Sequence, residues 1–229
     1  MPIGDGGEGT LETLTDGLHL RRDSHIVTGA LGQPVEAHYA TNGQLAVFEM
    51  ADICGLEKVP LDKRNPLTLT TKGVGEMIGH LVDLGTKEIM IGVGGSSTND
   101  GGIGMAAGLG YRFFDESGQE VAAVGDNLGN ITTISYEDYH WDLSQVELTI
   151  ITDVTNPLCG PNGATYVFGG QKGLANEKFA SVDKDMEQFY QSFFPVILDL
   201  AGAGAGGGMA AGLAAFTGGR IISGIDAVS

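Results

Sequence analysis

Apolar residues recur along the chain with two alternating periods. Between residues 70 and 84, Val74, Met77, Ile78, Leu81 and Val82 fall at three- and four-residue spacing, which predicts an amphipathic helix. The run KEIMIGV at 87–93 is apolar without alternation, the pattern of a strand covered on both faces. Residues 147–152 repeat that pattern and end at Asp153. Earlier segments at 25–28, 35–40 and 45–50 carry strand-forming residues, and Asn42-Gly43 between the last two predicts a hairpin. Helices are expected at 10–17, at 102–109 and, longest of all, at 176–194. There Phe179, Val182, Met186, Phe189 and Phe193 share one face, which reads as core packing rather than a cofactor box. Residues 111–120 read as strand and turn, with Asp115-Glu116-Ser117-Gly118 at the tip, and 121–130 as loop. A strand at 196–200, the run AGAGAGGG and an alanine-rich helix at 209–216 complete the series. Strand, glycine loop and helix recur in that order, so the fold class is α/β with a β-hairpin region.

Composition narrows the function. The 229 residues include 38 glycines, yet no Gly-X-Y period runs through them, and 42% are hydrophobic against 18% charged, which excludes collagen-like and disordered chains. Lys plus Arg total 12 against 29 for Asp plus Glu, a formal charge of −17. Such a chain does not grip a nucleic-acid backbone or an anionic membrane surface. Cys54 and Cys159 form no CxxC pair, which points to a reducing, cytoplasmic compartment rather than a disulfide framework. The five histidines have no metal-ligand spacing, no apolar run is long enough to span a membrane, and MPIGDGGEGT lacks signal-peptide regions.

Four segments join glycine to an acid: GDGGEGT (4–10), GGSSTNDGG (94–102), TDVTNP (152–157) and SGID (223–226). Glycine allows close approach of main chain to a ligand, and a glycine loop entering a helix presents free amides to an anion. GGSSTNDGG has that layout; Ser96, Ser97 and Thr98 add hydroxyls, and Asp100 is a candidate for Mg²⁺ binding or proton acceptance. Asp153 stands where a buried strand ends, the place where α/β sheets collect ligands, with Asn156-Pro157 close by. Gly202-x-Gly204-x-x-Gly207 matches GxGxxG and keeps a dinucleotide reading open, whereas GxxxxGK[ST] and GxSxG are absent. Acids at loop tips with glycine nests suggest phosphoryl transfer with Mg²⁺, chemistry that depends on positioning and charge neutralisation.

In order, DGGEGT, NPLTLTTKGVGE, GGSSTNDGG, DVTNPLCGPNGA, FGGQKG, AGAGAGGGMAAGL and SGID resemble the type I glycerate kinases along essentially the whole chain. The resemblance implies ATP- and Mg²⁺-dependent phosphorylation of D-glycerate, with 2-phosphoglycerate the favoured product. It also implies two α/β domains with the site in the cleft between them, one domain built from both flanking segments. The family begins with a strand and a P-D-S-F-K-G-like loop and continues past SGID. The expectation is therefore a chain truncated at both ends: 1–17 a stub of the terminal-segment domain, 18–221 the inserted α/β domain, 222–229 the return. FGGQKG, where the family often has proline for Gly170, and AGAGAGGG are smaller departures.

Carried over by motif, Asp5, Gly6, Gly7 and Glu8 lie at the cleft edge, with Asp5 a catalytic candidate. Ser96, Ser97, Thr98, Asn99 and Asp100 line a substrate or phosphate loop. Asp153 is a Mg²⁺ ligand or general base beside Asn156; Lys172 or Arg64 supplies positive charge, and Gly202 and Gly204 form a second anion nest or simply pack closely. A non-catalytic domain fragment and an NAD-dependent dehydrogenase are the alternatives, and a homodimer is left open.

Overall fold

The computed structural model describes residues 10–139 and 141–227. Eight strands and eight α-helices are assigned among them. The strands are β1 (Arg21–Thr28), β2 (Pro34–Thr41), β3 (Leu45–Glu49), β4 (Glu88–Gly92), β5 (Arg112–Phe114), β6 (Thr133–Ser135), β7 (Glu147–Ile151) and β8 (Arg220–Ile222). The helices are α1 (Thr10–Leu18), α2 (Ala51–Cys54), α3 (Lys72–Asp83), α4 (Ile103–Gly108), α5 (Ala164–Phe168), α6 (Phe179–Phe193), α7 (Ala205–Thr217) and α8 (Gly224–Ala227).

Six strands form one sheet in the order β1-β2-β3-β4-β7-β8. β1, β2 and β3 pair antiparallel, and β3, β4, β7 and β8 run parallel. The Asn42 side chain shapes the β2–β3 turn, its Oδ1 accepting from the Gln44 and Leu45 amides at 3.0 and 2.8 Å. β5 and β6 make a separate two-stranded antiparallel sheet.

The parallel strands end at one edge, and every crossover helix returns over one face. There Phe48, Ile89, Ile91 and Ile150 pack beneath α3, α4, α6 and α7 in the main core. The opposite face is thinner. Val47 and Ile151 pack there with Leu14 of α1, and Met90, Ile222 and Ala227 are partly buried beside them. α3 and α4 approach closely because glycines face each other: a Cβ on Gly75 would collide with the Met105 carbonyl, and one on Gly108 with that of Lys72.

The aromatic stripe of α6 is core. Phe189 lies 6.4 Å from Phe113, 5.3 Å from Tyr190 and 5.0 Å from Phe193, ring centroid to centroid. Three expectations change. Residues 196–200 are not a strand: Pro195–Asp199 forms a 3-10 turn. Residues 121–130 contain a 3-10 segment at Gly125–Asn130. Beyond the expected elements lie β6, β8, α2, α5 and α8. Among the described residues no helix is long and apolar enough to cross a membrane.

Candidate active site

At the carboxyl ends of β4 and β7 the chain breaks into glycine-rich and polar loops, and a cavity of about 230 Å³ opens between them. Gly94, Gly95 and Ser96 wall it after β4, Thr152 and Val154 after β7. Lys172, at the end of the 3-10 turn Gly170–Lys172, comes from the long β7–β8 crossover. A second cleft of about 570 Å³ shares Leu56 and Gly95 with the first and is bordered by Glu49, Asp52 and Lys58.

Lys172 is only 3% exposed. Its Nζ donates to Ser96 Oγ at 2.7 Å and to the Thr98 carbonyl at 2.8 Å. Burial pushes its pKa down to about 8, although the nearby Asp100 and Cys54 act in the opposite direction.

The loop 96–100, expected to present its side chains to a ligand, is almost wholly buried. Ser97 Oγ donates to the Cys54 carbonyl at 2.8 Å, and Asn99 Nδ2 donates to Thr165 Oγ1 at 2.9 Å. Thr98 Oγ1 and Asn99 Oδ1 are buried without a hydrogen-bond partner. Asp100 faces the protein interior. One oxygen accepts from Thr71 Oγ1 at 2.6 Å and from the Gly104 amide at 3.2 Å, the other from the Gly102 amide at 2.8 Å. Burial pushes the Asp100 carboxyl up, and these donors pull it back. It closes the start of α4 and is fully buried there. Ser96 is the member of this loop that reaches the cavity.

Asp153 is exposed, between the wall residues Thr152 and Val154, and its Oδ1 accepts from the Gly224 amide at 2.8 Å. Asn156 braces its own loop, donating to the Asn162 carbonyl at 2.8 Å, and Arg64 Nε donates to the Val59 carbonyl at 3.1 Å, outside the cavity wall. The amides of Gly202 and Gly204 donate to the Thr155 and Asn156 carbonyls at 3.1 and 3.1 Å, so neither is free for an anion. Of the two readings of those glycines, close packing is the one their geometry supports. No strand precedes them, so the dinucleotide match lacks its context. Asp5, Gly6, Gly7 and Glu8 lie outside the described residues.

Some site residues escaped the sequence reading. Thr152 and Gln171 border the cavity, each adjacent in sequence to a chosen residue. Glu49 is 9% exposed at the carboxyl end of β3 and accepts from the Leu11 amide at 3.1 Å. The strand-end reasoning that singled out Asp153 applies to it equally. Leu56 and Phe168 also wall the cavity, and nothing in their local sequence signals it.

A model of the family described as glycerate kinase family matches residues 1–229. A glycerate kinase of Neisseria meningitidis is 50% identical over 225 residues, covering 98% of this chain and 61% of the relative. A protein of Escherichia coli named glycerate 2-kinase is 38% identical over 235 residues, 100% of this chain and 62% of its own length. A crystal structure from Salmonella typhimurium LT2, provisionally described as glycerate kinase 2, superposes with a TM-score of 0.92 at 42% identity, covering 99% of this chain and 63% of that one. The chain thus spans about 61% of the length of the first curated relatives it matches.

Proposed function

Because the chain belongs to the glycerate kinase family, we propose that it carries part or all of the site for ATP-dependent phosphorylation of D-glycerate. The observation that carries this reading is the convergence of Ser96, Thr152 and a buried Lys172 on one cavity at the carboxyl ends of β4 and β7, where α/β sheets bind ligands. The name of the Escherichia coli relative supports transfer to the 2-hydroxyl.

Asp153 is the exposed carboxylate at the same edge. A loose phosphoryl-transfer transition state asks little of a base, so holding Mg²⁺ is its larger role; proton acceptance would need the hydroxyl within about 3 Å or one water. Among the described residues no three His, Cys, Asp or Glu side chains cluster to hold a metal. One carboxylate fits Mg²⁺ that arrives on a nucleotide, since that ion binds through one or two carboxylates plus phosphate oxygens. When bound, Mg²⁺ neutralises charge on the transferring group. The adjoining cleft of about 570 Å³ has room for the larger co-substrate.

The division into 1–17, 18–221 and 222–229 is part of this proposal. Leu14 of α1 and Ala227 of α8 share one apolar cluster on the thin face of the sheet, which supports the two flanking segments leaving the 18–221 unit side by side. A cytoplasmic location is supported by two free thiols, Cys54 buried and Cys159 half-buried. The homodimer left open by the sequence is checked by light scattering.

The test is ADP release with Mg-ATP by the protein carrying this chain, with D-glycerate or L-lactate as acceptor. Release that requires D-glycerate is expected. ATP turnover indifferent to D-glycerate, or supported equally by L-lactate, contradicts the proposal.

A further inference from the structure

We propose that Glu49 is a positioning residue for the nucleotide co-substrate. It ties the start of α1 to the carboxyl end of β3 and so fixes one wall of the cleft of about 570 Å³. The inference rests on the kinase reading above and adds to it a residue outside the motifs that carry the family resemblance.

Side chains alternate between the two faces of a strand, so Leu45, Val47 and Glu49 of β3 share the thin face of the sheet. Val47 is buried there with Leu14 of α1, and Leu45 and Leu11 are partly buried beside them. Where this row reaches the cleft the apolar pattern stops, and a carboxylate only 9% exposed takes the next place. A buried carboxylate is costly unless donors meet it. Here the donor is main chain: the Leu11 amide donates to Glu49 Oε1 at 3.1 Å.

The first amides of a helix have no partner within it, and the helix dipole favours negative charge beside them. A side chain just ahead of the helix commonly meets them, but Gly9 has none to offer. The acceptor comes instead from a strand 38 residues away in the chain. A local cap would move with its own loop, whereas a cap on β3 registers the helix start against the sheet. That start matters to the cleft, because Leu11 and Glu49 both wall it and neither walls the 230 Å³ cavity. Gly95, from the loop after β4, is a further wall, and Glu49 pairs with Gly92 at the end of that strand. Glu49 therefore acts on the cleft that has room for a nucleotide.

Kinetics, Mg-ADP binding and hydrogen exchange test this on the protein carrying this chain, as wild type, Glu49→Ala and Glu49→Gln. In Glu49→Ala, KM for Mg-ATP and Kd for Mg-ADP should each rise about tenfold, with KM for D-glycerate within about twofold of wild type. Glu49→Gln keeps an oxygen for the amide but loses the charge, so its values should fall between the two. Without nucleotide, residues 10–14 should exchange faster in Glu49→Ala, while residues 147–151 of β7 exchange as in the wild type.

Unchanged Mg-ATP and Mg-ADP constants in a folded variant overturn the proposal. So does a lower melting temperature with a lower kcat and both KM values unchanged, the mark of a merely structural cap. Weaker nucleotide binding with unaltered exchange at residues 10–14 also overturns it, because Glu49 would then act on the nucleotide directly. If Glu49→Ala does not fold, Glu49→Gln is judged by the same outcomes. A wild type without D-glycerate-dependent turnover removes the kinase reading, and Mg-ADP binding with exchange still decides the role of Glu49.

Discussion

Asp100 accepts three hydrogen bonds in the interior, while Asp153 faces solvent with one, from the Gly224 amide. The two acids are the same residue type in glycine-containing loops, and local pattern does not encode which of them is buried. What separates them is burial: Asp100 is enclosed between Thr71, distant in the chain, and the first turn of α4. Asp100→Asn is therefore expected to lose about 2–3 kcal/mol of stability in urea denaturation, because one buried acceptor becomes a donor facing donors. Asp153→Asn should instead keep its melting temperature within a few degrees and lower kcat at least about tenfold, in ADP release with D-glycerate. Equal loss of stability in both variants would contradict this division. Lys172 was legible only as one cation in FGGQKG; its value lies in a buried position that no local pattern encodes.

At the level of elements, periodicity located α3, β4, β7 and α6 to within a few residues, because each has a regular apolar face or a continuous buried run. The segment at 196–200 misled because a five-residue apolar stretch fits a strand or a 3-10 turn equally, and Pro195 at its start favours the turn. The AGAGAGGG run fits an anion nest or close packing on sequence alone. Gly206, Gly207 and Gly208 have φ of 67°, 67° and 87°, and a Cβ on Gly207 would collide with the Thr98 carbonyl. The run thus locks α7 onto the loop that carries Ser96. Gly207→Ala is expected to destabilise by more than about 3 kcal/mol, from backbone strain plus the collision. Gly218→Ala, at φ 72° with open space around it, should lose only about 1 kcal/mol. Chemical denaturation of both variants checks the contrast, and equal losses would contradict the packing role.

For the whole molecule, stability should respond to acid through one joint between the edge strand and a helix. His25 of β1 and His80 of α3 stack with ring centroids 3.6 Å apart, and Tyr39 OH lies 3.3 Å from His80 Nε2. Burial and then the neighbouring His25 hold the His80 pKa below its ordinary 6.5, against the pull of Asp83 and Asp23. The unfolded chain accordingly binds a proton that the folded chain resists, so stability falls as pH drops below about 6.5. Melting temperatures at pH 7.5 and 5.5 should show the drop, and His80→Phe should reduce it; an unchanged drop in that variant would remove His80 as its source. At alkaline pH Lys172 works the other way round: its contribution to stability rises between about 8 and 10.5 as the native lysine sheds its proton.

The α/β class, the run of strand–loop–helix units and the family were readable from the chain because they rest on local pattern and ordered motifs. The cavity was not, since its walls come from loops after β4 and β7 and from the crossover carrying Lys172. The measurement that bears most directly on the account is phosphorus NMR of the protein carrying this chain, incubated with Mg-ATP and D-glycerate. It should be run in parallel with Asp153→Asn and Lys172→Gln. The account predicts a new phosphomonoester signal coupled to the C2 proton in the wild type, strongly reduced in both variants. A product phosphorylated equally fast by all three proteins, or ATP consumed with no glycerate ester formed, would contradict it.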